Sequence, residues 1–177
     1  MQRVLIIATD GYEQSELTEP KRLLEEAGAE VTVASLKPGE IRGWDQKDWG
    51  TSVAVDCTIR DASVEDHDAL LLPGGQMNPD VLRMDHQVID LVRQFDAAEK
   101  PIAAICHAPW LLAEADIIEG RSVTGWPSIR TDLANAGAAV VDEEVVVDGN
   151  LITSRKPDDI PAFTSALMAA LDMAPAN

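Results

Sequence analysis

Short apolar runs alternate along the chain with segments of helical periodicity. The runs RVLIIAT (3–9), EVTVASL (30–36), DALLLPGG (68–75) and PIAAIC (101–106) predict buried strands, since each is short and largely apolar. The segments SELTEPKRLLEEAG and HQVIDLVRQFDAAEK place their apolar residues on one helical face. Because strands and helices alternate in this way, the sequence predicts an α/β fold, doubly wound, with a mainly parallel sheet sandwiched by helices.

The remaining segments predict smaller elements. SVAVDCTI (52–59) alternates apolar and polar residues, which predicts a half-covered strand in a hairpin near the sheet edge. The DGN turn at 148–150 indicates a second hairpin, and the last helix is expected from about Pro161 to Met173. In the first helix we expect Pro20 in the first turn, where the N–H that proline lacks is not needed. Two further strands are expected at RSVTGW and AAVV, and two further helices at HAPWLLAEA and SIRTDLANAG.

Composition and charge narrow the class of protein. The 177 residues fit one domain, 1–177, and the formal net charge of −17 disfavours nucleic acid as a partner. The opening segment has an apolar run of only five residues, too short for a signal peptide or a membrane anchor. We therefore expect no membrane partner. Two cysteines without a CxxC pair favour a cytoplasmic protein with reduced thiols. No Walker or GxGxxG loop is present, so no cofactor is expected.

Functional side chains of doubly wound sheets gather at the carboxyl ends of the strands. In this chain those ends carry a thiol, an imidazole, carboxyl groups, glycines and aromatic rings. We expect them to share one edge of the sheet, and they are residues 10–16, residues 73–80, Cys106, His107, Trp126 and Arg155.

Cys106 is the strongest candidate for a catalytic side chain. It ends a buried strand and is followed by a helix, so we expect it on a sharp turn like the nucleophile elbow of hydrolases. Unpaired N–H groups at the start of that helix favour the thiolate, which predicts a lowered pKa for Cys106. The alternative, a small buried hydrophobic residue, is the usual role of an isolated cysteine.

Three neighbours could assist this thiol. His107 is expected to act as a general base or to supply its backbone N–H, and direct hydrogen bonding to Cys106 does not follow from adjacency. The backbone N–H groups of Gly75 and His107 form a plausible oxyanion pair, because glycine permits close approach. Glu16 could share a proton with the sulfur, although an acid in the first turn of a helix also favours the helix itself.

The remaining cysteine and the other two histidines are not expected to form a metal site. Cys57, His67 and His86 do not have metal-ligand spacing with Cys106 and His107. We interpret Cys57 as a packing residue and the other two histidines as surface residues.

Taken together, the motifs ELTEP, LLLPGG, NPDVLR, EKPIAAICHAP, NAGA and EEVVVDGNLITSRKPDDIPAF resemble the ThiJ/PfpI superfamily. The chain is most similar to its PfpI-type intracellular proteases and general stress proteins. The motifs occur in order over nearly the whole chain, and as a set they are specific for that superfamily.

The resemblance implies a flavodoxin-like fold, similar to class I glutamine amidotransferases, and a homodimer or larger homo-oligomer with the site near the subunit interface. It implies that Cys106 is the nucleophile, that Glu16 hydrogen-bonds its sulfur, and that the amides of Gly75 and His107 bind an oxyanion. In PfpI-type relatives an acid just after PGG, from a neighbouring subunit, completes a Cys-His-acid set. Asp80 matches that position.

The chain departs from the family pattern at two places. Ala108 stands where the family commonly has glycine, and Asp80 is one methylene shorter than the glutamate of some relatives. The segment IRGWDQKDWG (41–50) is expected to be a lid or a subunit contact. The residues expected to line a pocket around the thiol are Gly74, Trp110, Trp126 and Arg155, and packing in the core is an equal alternative for the two tryptophans.

Three functions fit these residues. In the first, Cys106 attacks reactive carbonyls such as methylglyoxal or its early adduct on a protein amine, without a cofactor, as in the glyoxalase III and deglycase activities of relatives. In the second, Cys106, His107 and an acid form an intracellular cysteine peptidase. In the third, the protein is a non-enzymatic redox sensor or a chaperone-like stress protein.

Overall fold

A computed structural model describes residues 1–176 and contains a seven-stranded sheet with helices on both faces. The strands are β1 (Arg3–Ile7), β2 (Glu30–Ser35), β3 (Gly39–Asp45), β4 (Asp48–Val55), β5 (Cys57–Thr58), β6 (Ala69–Leu72), β7 (Ile102–Ile105), β8 (Ser122–Val123), β9 (Ala139–Val140), β10 (Val146–Asp148) and β11 (Leu151–Ser154). The helices are α1 (Gln14–Glu26), α2 (Met77–Leu82), α3 (His86–Ala97), α4 (Pro109–Glu114), α5 (Arg130–Asn135) and α6 (Ile160–Ala170).

The main sheet has the strand order β10-β11-β7-β6-β1-β2-β5. All its neighbouring strands are parallel except β10 and β11, which form an antiparallel hairpin. The prediction of an α/β fold with a mainly parallel sheet is therefore confirmed. Two small sheets, β3-β4 and β8-β9, lie outside it.

Alternate residues of each central strand pack on opposite faces of the sheet, as the period of two requires. In β1, Leu5 and Ile7 face one apolar cluster, while Val4 and Ile6 face the other. The first cluster is covered by α3, α4 and α5, and the second by α1 and α6. Because β1 is buried on both faces, its sequence is an unbroken apolar run.

Several sequence predictions of single elements are confirmed and others are wrong. The DGN turn joins β10 to β11, with Gly149 at a φ of 58°. Segment 52–59 does not form one strand: its first part belongs to the β3-β4 hairpin and its last part is the edge strand β5.

Pro20 lies inside α1 and not in its first turn, because α1 already begins at Gln14. The carbonyl of Glu16 therefore lacks its usual helical N–H partner.

One histidine is also placed differently from the prediction. His67 is buried, and its Nδ1 lies 2.8 Å from the carbonyl oxygen of Ser63, whereas His86 is exposed as expected.

No helix within residues 1–176 is both long enough and apolar enough to cross a membrane. In the same residues, no group of three or more His, Cys, Asp or Glu side chains could hold a metal ion.

Candidate active site

The candidate site lies where three neighbouring strands end. The strands β7, β6 and β1 are adjacent and parallel, so their carboxyl ends meet at one edge of the sheet. β7 leads into Cys106, β6 into Gly74 and Gly75, and β1 into the loop before α1, which carries Glu16. The fold thus brings these four residues to one place.

Cys106 occupies a strained turn between β7 and α4. Its φ of 65° is in the left-handed region, which residues other than glycine seldom adopt. Its N–H donates to the carbonyl oxygen of Ser154 at 3.0 Å, and its own carbonyl accepts the N–H of Trp126 at 2.8 Å. Two flanking segments therefore hold the strained backbone in place. The residue is only 5% exposed.

The carboxyl group of Glu16 lies beside the Cys106 thiol and is completely buried. Its Oε1 accepts the backbone N–H of Gly74 at 3.0 Å. Its Oε2 is buried and has no hydrogen-bond partner of ordinary geometry among the residues described. A buried polar atom without a partner is rare in proteins and suggests a role for that atom. This oxygen is free to carry a proton or to bind a group of a substrate.

Burial raises the pKa of Glu16 to about 8. The negative charge of Glu13 acts in the same direction, while the N–H groups of Gly74 and Gly75 and the Cys106 thiol lower the pKa. Desolvation dominates because the ionised carboxylate has lost its water. At pH 7 the Glu16 side chain is therefore mainly a neutral carboxylic acid that can donate a proton.

This raised pKa predicts a pH dependence of stability. Between the ordinary pKa of 4.5 and about 8, folded Glu16 keeps a proton that the unfolded chain has lost. The free energy of unfolding should therefore fall as pH rises through that window. Glu16→Gln should remove most of this fall, as measured by urea denaturation at pH 5 and pH 8. Glu19→Gln, at a surface position of α1, is the control and should retain the dependence of the unmodified protein.

The pKa of the Cys106 thiol is raised, so the sequence prediction of a lowered value is wrong. Burial is the largest cause and the charge of Glu16 the second, while the N–H groups of Gly75 and His107 act in the opposite direction. The prediction took account of the N–H groups near the thiol but not of how deeply Cys106 is buried. That burial depends on the order of the strands, which places β7 between β6 and β11. When Glu16 is protonated its charge is absent, and the thiol then ionises more readily.

His107 is positioned to exchange a proton with Cys106. Its Nδ1 lies 3.3 Å from Cys106 Sγ, and burial lowers the pKa of the imidazole, so the ring is neutral at pH 7. Trp126 stacks on the ring at 5.8 Å between centroids, and Trp110 meets it edge-on at 5.2 Å. Its Nε2 lies 3.5 Å from the hydroxyl oxygen of Ser128, a neighbour that the sequence analysis did not include.

Gly75 must be glycine because the backbone on either side of it is crowded. Its φ is 81°, and a Cβ would lie 2.5 Å from the carbonyl oxygen of Gly11 and 2.6 Å from the nitrogen of Glu13. This conformation directs the Gly75 N–H toward Cys106 Sγ. Such an N–H can also stabilise negative charge that develops on a substrate oxygen.

Asn78 fixes the PGG turn, a role that the sequence analysis did not assign although its range 73–80 includes this residue. It is completely buried on α2, and its Nδ2 donates to the carbonyls of Pro73 and Gly74 at 2.9 and 3.1 Å. Its Oδ1 accepts the N–H of Thr9 at 2.8 Å, which joins the end of β1 to the turn after β6. The Asn-Pro pair at 78–79 was the available signal, since it marks a specific turn.

Two residues predicted at the site make no side-chain hydrogen bond to Cys106, Glu16 or His107 within residues 1–176. Asp80 is exposed on α2, and the two ring nitrogens of His107 face other residues. Arg155 is bound on both sides by carboxylates, with two hydrogen bonds to Asp159 and one to Asp142. These two acids therefore neutralise the Arg155 guanidinium, and the assignment of Arg155 to the pocket stays a prediction.

Segment 41–50 forms the tip of the β3-β4 hairpin and packs on the loop before α1. The N–H of Gly11 donates to the carbonyl of Arg42 at 2.9 Å, and the N–H of Trp44 donates to that of Tyr12 at 2.7 Å. Because the same loop contacts Gly75, the hairpin is connected to the site through the backbone. Both earlier interpretations, lid and subunit contact, fit this position.

Gly74 separates Glu16 from Cys106, and Gly74→Ala should damage the site. A Cβ there would lie 2.6 Å from Cys106 Cβ, Glu16 Oε1 and the carbonyl oxygen of Ile105. We expect a loss of about 1–3 kcal/mol of stability from overpacking, together with slower alkylation of the Cys106 thiol. The control is Gly28→Ala, which meets no atom within 4 Å but has a φ of 94°. Its positive φ should cost about 1–2 kcal/mol of stability, but it should leave alkylation of Cys106 unchanged.

Comparison with known proteins gives a consistent result. The sequence model of the DJ-1/PfpI family matches residues 2–170. The chain is 45% identical over 172 residues to General stress protein 18 of Bacillus subtilis (strain 168), covering 96% of this chain and 98% of that one. It is 43% identical over 162 residues to a candidate cysteine protease of the same organism, YraA, covering 91% and 93%.

Another relative bears the name of an enzyme, and a solved structure has the same fold. Protein/nucleic acid deglycase 2 of Escherichia coli (strain K12) is 42% identical over 171 residues, covering 96% of this chain and 97% of that one. The crystal structure of Drosophila melanogaster DJ-1beta superposes with a TM-score of 0.87 at 32% identity, covering 98% and 90% of the two chains.

Proposed function

This chain belongs to the DJ-1/PfpI family, and on that premise we propose that it is a stress-protective, cytoplasmic enzyme whose Cys106 attacks reactive carbonyls without a cofactor. The substrate would be methylglyoxal or its early adduct on a protein amine, and the product a hydroxy acid. A relative named deglycase and another named general stress protein support this proposal.

The observation that carries the proposal is the buried pair of Cys106 and Glu16. Carbonyl addition needs a sulfur nucleophile and an acid that protonates the oxygen as negative charge develops on it. With a pKa of about 8, Glu16 holds its proton at pH 7, and its Oε2 has no hydrogen-bond partner within residues 1–176. The acid is therefore protonated and lies beside the sulfur, whereas the thiol, whose pKa is raised, loses its proton to His107 as the bond to carbon forms.

The reaction can be written with these residues alone. Cys106 Sγ bonds to the aldehyde carbon of methylglyoxal, its thiol proton passes to His107 Nδ1, and Glu16 protonates the aldehyde oxygen. The Glu16 carboxylate then takes the proton from C1 and returns it to C2, while the hydroxyl proton on the C1 oxygen moves to the C2 oxygen, giving a lactoyl thioester. Water then cleaves the thioester: its oxygen bonds to the acyl carbon as lactic acid forms, one of its protons returns to the Glu16 carboxylate, and the protonated His107 returns its proton to the leaving sulfur. No electrons enter or leave, so the net reaction is addition of water.

The burial of Cys106 favours a small substrate over a polypeptide. A residue that is 5% exposed can be reached by a three-carbon dicarbonyl, whereas a peptide bond must lie extended across an open groove.

The 3.3 Å contact between Sγ and His107 Nδ1 keeps peptidase activity as the second candidate. That candidate needs a third group, and we propose a homo-oligomer in which Asp80 of a neighbouring subunit could supply it.

Two parallel assays on the unmodified protein test the proposal. Methylglyoxal is supplied without glutathione and lactate is measured, while a fluorogenic peptide is supplied in a second reaction. Heat-denatured protein is the blank. We expect lactate and no peptide cleavage. Peptide cleavage without lactate would favour the peptidase, and the absence of both would favour the redox sensor.

A further inference from the structure

Two arginines near the Cys106 turn share one carboxylate. Nη2 of Arg130 lies 2.9 Å from Oδ1 of Asp142, and Nη1 of Arg155 lies 3.0 Å from the same oxygen. Asp142 lies between β9 and β10, outside any strand or helix, and its side chain is 62% exposed. The hydrogen bond from Arg155 and the charge of Arg130 hold the pKa of Asp142 below its ordinary value. An ionised, exposed carboxylate therefore occupies the point on which two guanidinium groups converge.

Both arginines belong to or contact the segments that hold the Cys106 turn. The last residue of β11, Ser154, accepts the Cys106 N–H at 3.0 Å, and β11 runs parallel to β7. Because neighbouring strands are about 5 Å apart, the backbone of Arg155 lies beside that of Cys106. Arg130 Nε donates to the carbonyl of Gly125 at 3.4 Å, and the residue after Gly125 donates its N–H to the Cys106 carbonyl. The shared carboxylate is thus bound next to the nucleophile.

The side chain of Asp142 can leave the two arginines while its segment stays in place. The segment is held by other groups: Val141 donates its N–H to the carbonyl of Val123 at 3.0 Å, and Ser154 Oγ donates to the carbonyl of Glu144 at 2.6 Å. Ion pairs at exposed positions contribute little to stability. Rotation of the Asp142 side chain would therefore open both guanidinium groups to another anion at small cost.

The two arginines differ in how far other groups neutralise them. Arg155 forms two further hydrogen bonds to Asp159, so it keeps a carboxylate partner when Asp142 moves away. Arg130 has no carboxylate partner other than Asp142 within residues 1–176. An anion that replaces Asp142 therefore meets an uncompensated positive charge on Arg130, in a chain whose formal net charge is −17.

We propose that Arg130 and Arg155 bind a carboxylate of the substrate in place of Asp142, and that the substrates are α-ketoaldehydes with a carboxylate at the far end of the carbon chain. Asp142 indicates this chemistry because it is itself a carboxylate, and arginine binds such planar anions well. The inference rests on the proposed function for turnover of the substrate, whereas binding of the carboxylate does not depend on it.

The compound 4,5-dioxopentanoate has this structure, with its aldehyde for Cys106 and its carboxylate for the two arginines. Cys106 Sγ bonds to the aldehyde carbon C5, and the proton of C5 passes to C4 as in the reaction of methylglyoxal. Water then cleaves the thioester, its oxygen bonds to C5, and the sulfur regains its proton. The product is 2-hydroxyglutarate, so the net reaction is again addition of water, and the distal carboxylate is unchanged.

The binding test compares 2-hydroxyglutarate with 2-hydroxypentanoate, which has a methyl group in place of the distal carboxylate. Calorimetry should show tighter binding of 2-hydroxyglutarate to the unmodified protein. In Asp142→Asn the competing carboxylate is absent, so the affinity for 2-hydroxyglutarate should rise about 5-fold, the upper range for an exposed ion pair. Arg130→Gln should lose the preference, and Arg130→Lys, which keeps the charge, should retain part of it.

Asp90→Asn is the matched control because it removes the same charge from another exposed ion pair. The Asp90 side chain is 64% exposed and lies 3.6 Å from Arg93 on α3. This variant should bind both hydroxy acids as the unmodified protein does. A rise in affinity as large in Asp90→Asn as in Asp142→Asn would show a general effect of net charge and would overturn the proposal.

Turnover gives a second, separate readout. We expect a higher kcat/KM for 4,5-dioxopentanoate than for 2-oxopentanal, its methyl analogue of equal length, and loss of that preference in Arg130→Gln, whose folding is verified by circular dichroism. Equal affinity of the unmodified protein for the two hydroxy acids would overturn the proposal. A preference for 2-hydroxyglutarate without turnover of either aldehyde would contradict the proposed function and still support the carboxylate site.

Discussion

Glu16→Gln should lower the rate of lactate formation from methylglyoxal at pH 7 by about 10²-fold or more, the range that a general acid–base contributes. The amide has the size of the carboxyl group, and its oxygen can still accept the Gly74 N–H. It cannot donate an acidic proton to a carbonyl oxygen or carry a proton between two carbons. A lower rate of lactate formation in this variant would therefore report the loss of proton transfer and not a change in the shape of the site.

The same substitution should make the Cys106 thiol more reactive toward iodoacetamide between about pH 8 and 9. In the unmodified protein the negative charge of Glu16 above its pKa of about 8 raises the pKa of Cys106. A neutral glutamine removes that charge, so the thiolate forms at lower pH. Catalysis and alkylation should consequently change in opposite directions.

Glu19→Gln on the same helix is the control and should leave both rates near those of the unmodified protein. Glu19 pairs with Arg22 at the surface, where an ion pair contributes little. A parallel fall of lactate formation and alkylation in Glu16→Gln would indicate a collapsed site. Unchanged lactate formation would remove Glu16 from the mechanism.

The fold and the position of Cys106 at the end of a buried strand could be predicted from the sequence because both depend on local patterns. Unbroken apolar strands indicate a parallel sheet, and a strand that ends in Cys106 places a thiol at its carboxyl end. The order of strands does not follow from local patterns, yet it decides that β6 lies between β7 and β1. Gly74 therefore touches both Glu16 and Cys106, and burial raises the thiol pKa that the sequence predicted to be lowered.

Two contacts of the site were hidden for a related reason. Asn78 bonds to Thr9 and Ser128 lies beside His107, and in each pair the partners are distant in sequence. Pro20 shows that a local rule can also mislead. Proline is usually found in the first turn of a helix, so the sequence analysis placed Pro20 there, but it lies inside α1. The helix begins earlier because the loop before it is held by the PGG turn, where the N–H of Glu13 donates to the carbonyl of Gly74 at 3.3 Å.

Cys106→Ser should reduce lactate formation by at least about 10³-fold while the protein remains folded. Every step of the proposed reaction passes through a bond to Sγ, and a buried serine hydroxyl is a far weaker nucleophile than a thiol. The substitution changes little in volume, so the turn with a φ of 65° should persist. Cys57→Ser is the matched control, because Cys57 is the only other cysteine of the chain and lies half-buried on the edge strand β5.

The measurement that tests the central claim most directly is therefore lactate formation from methylglyoxal, without glutathione, by the unmodified protein, Cys106→Ser and Cys57→Ser side by side. Near-ultraviolet circular dichroism of all three proteins verifies that each is folded. The account predicts lactate from the unmodified protein and from Cys57→Ser, and none above the uncatalysed rate from Cys106→Ser. Lactate formation by folded Cys106→Ser at the rate of the unmodified protein would contradict it.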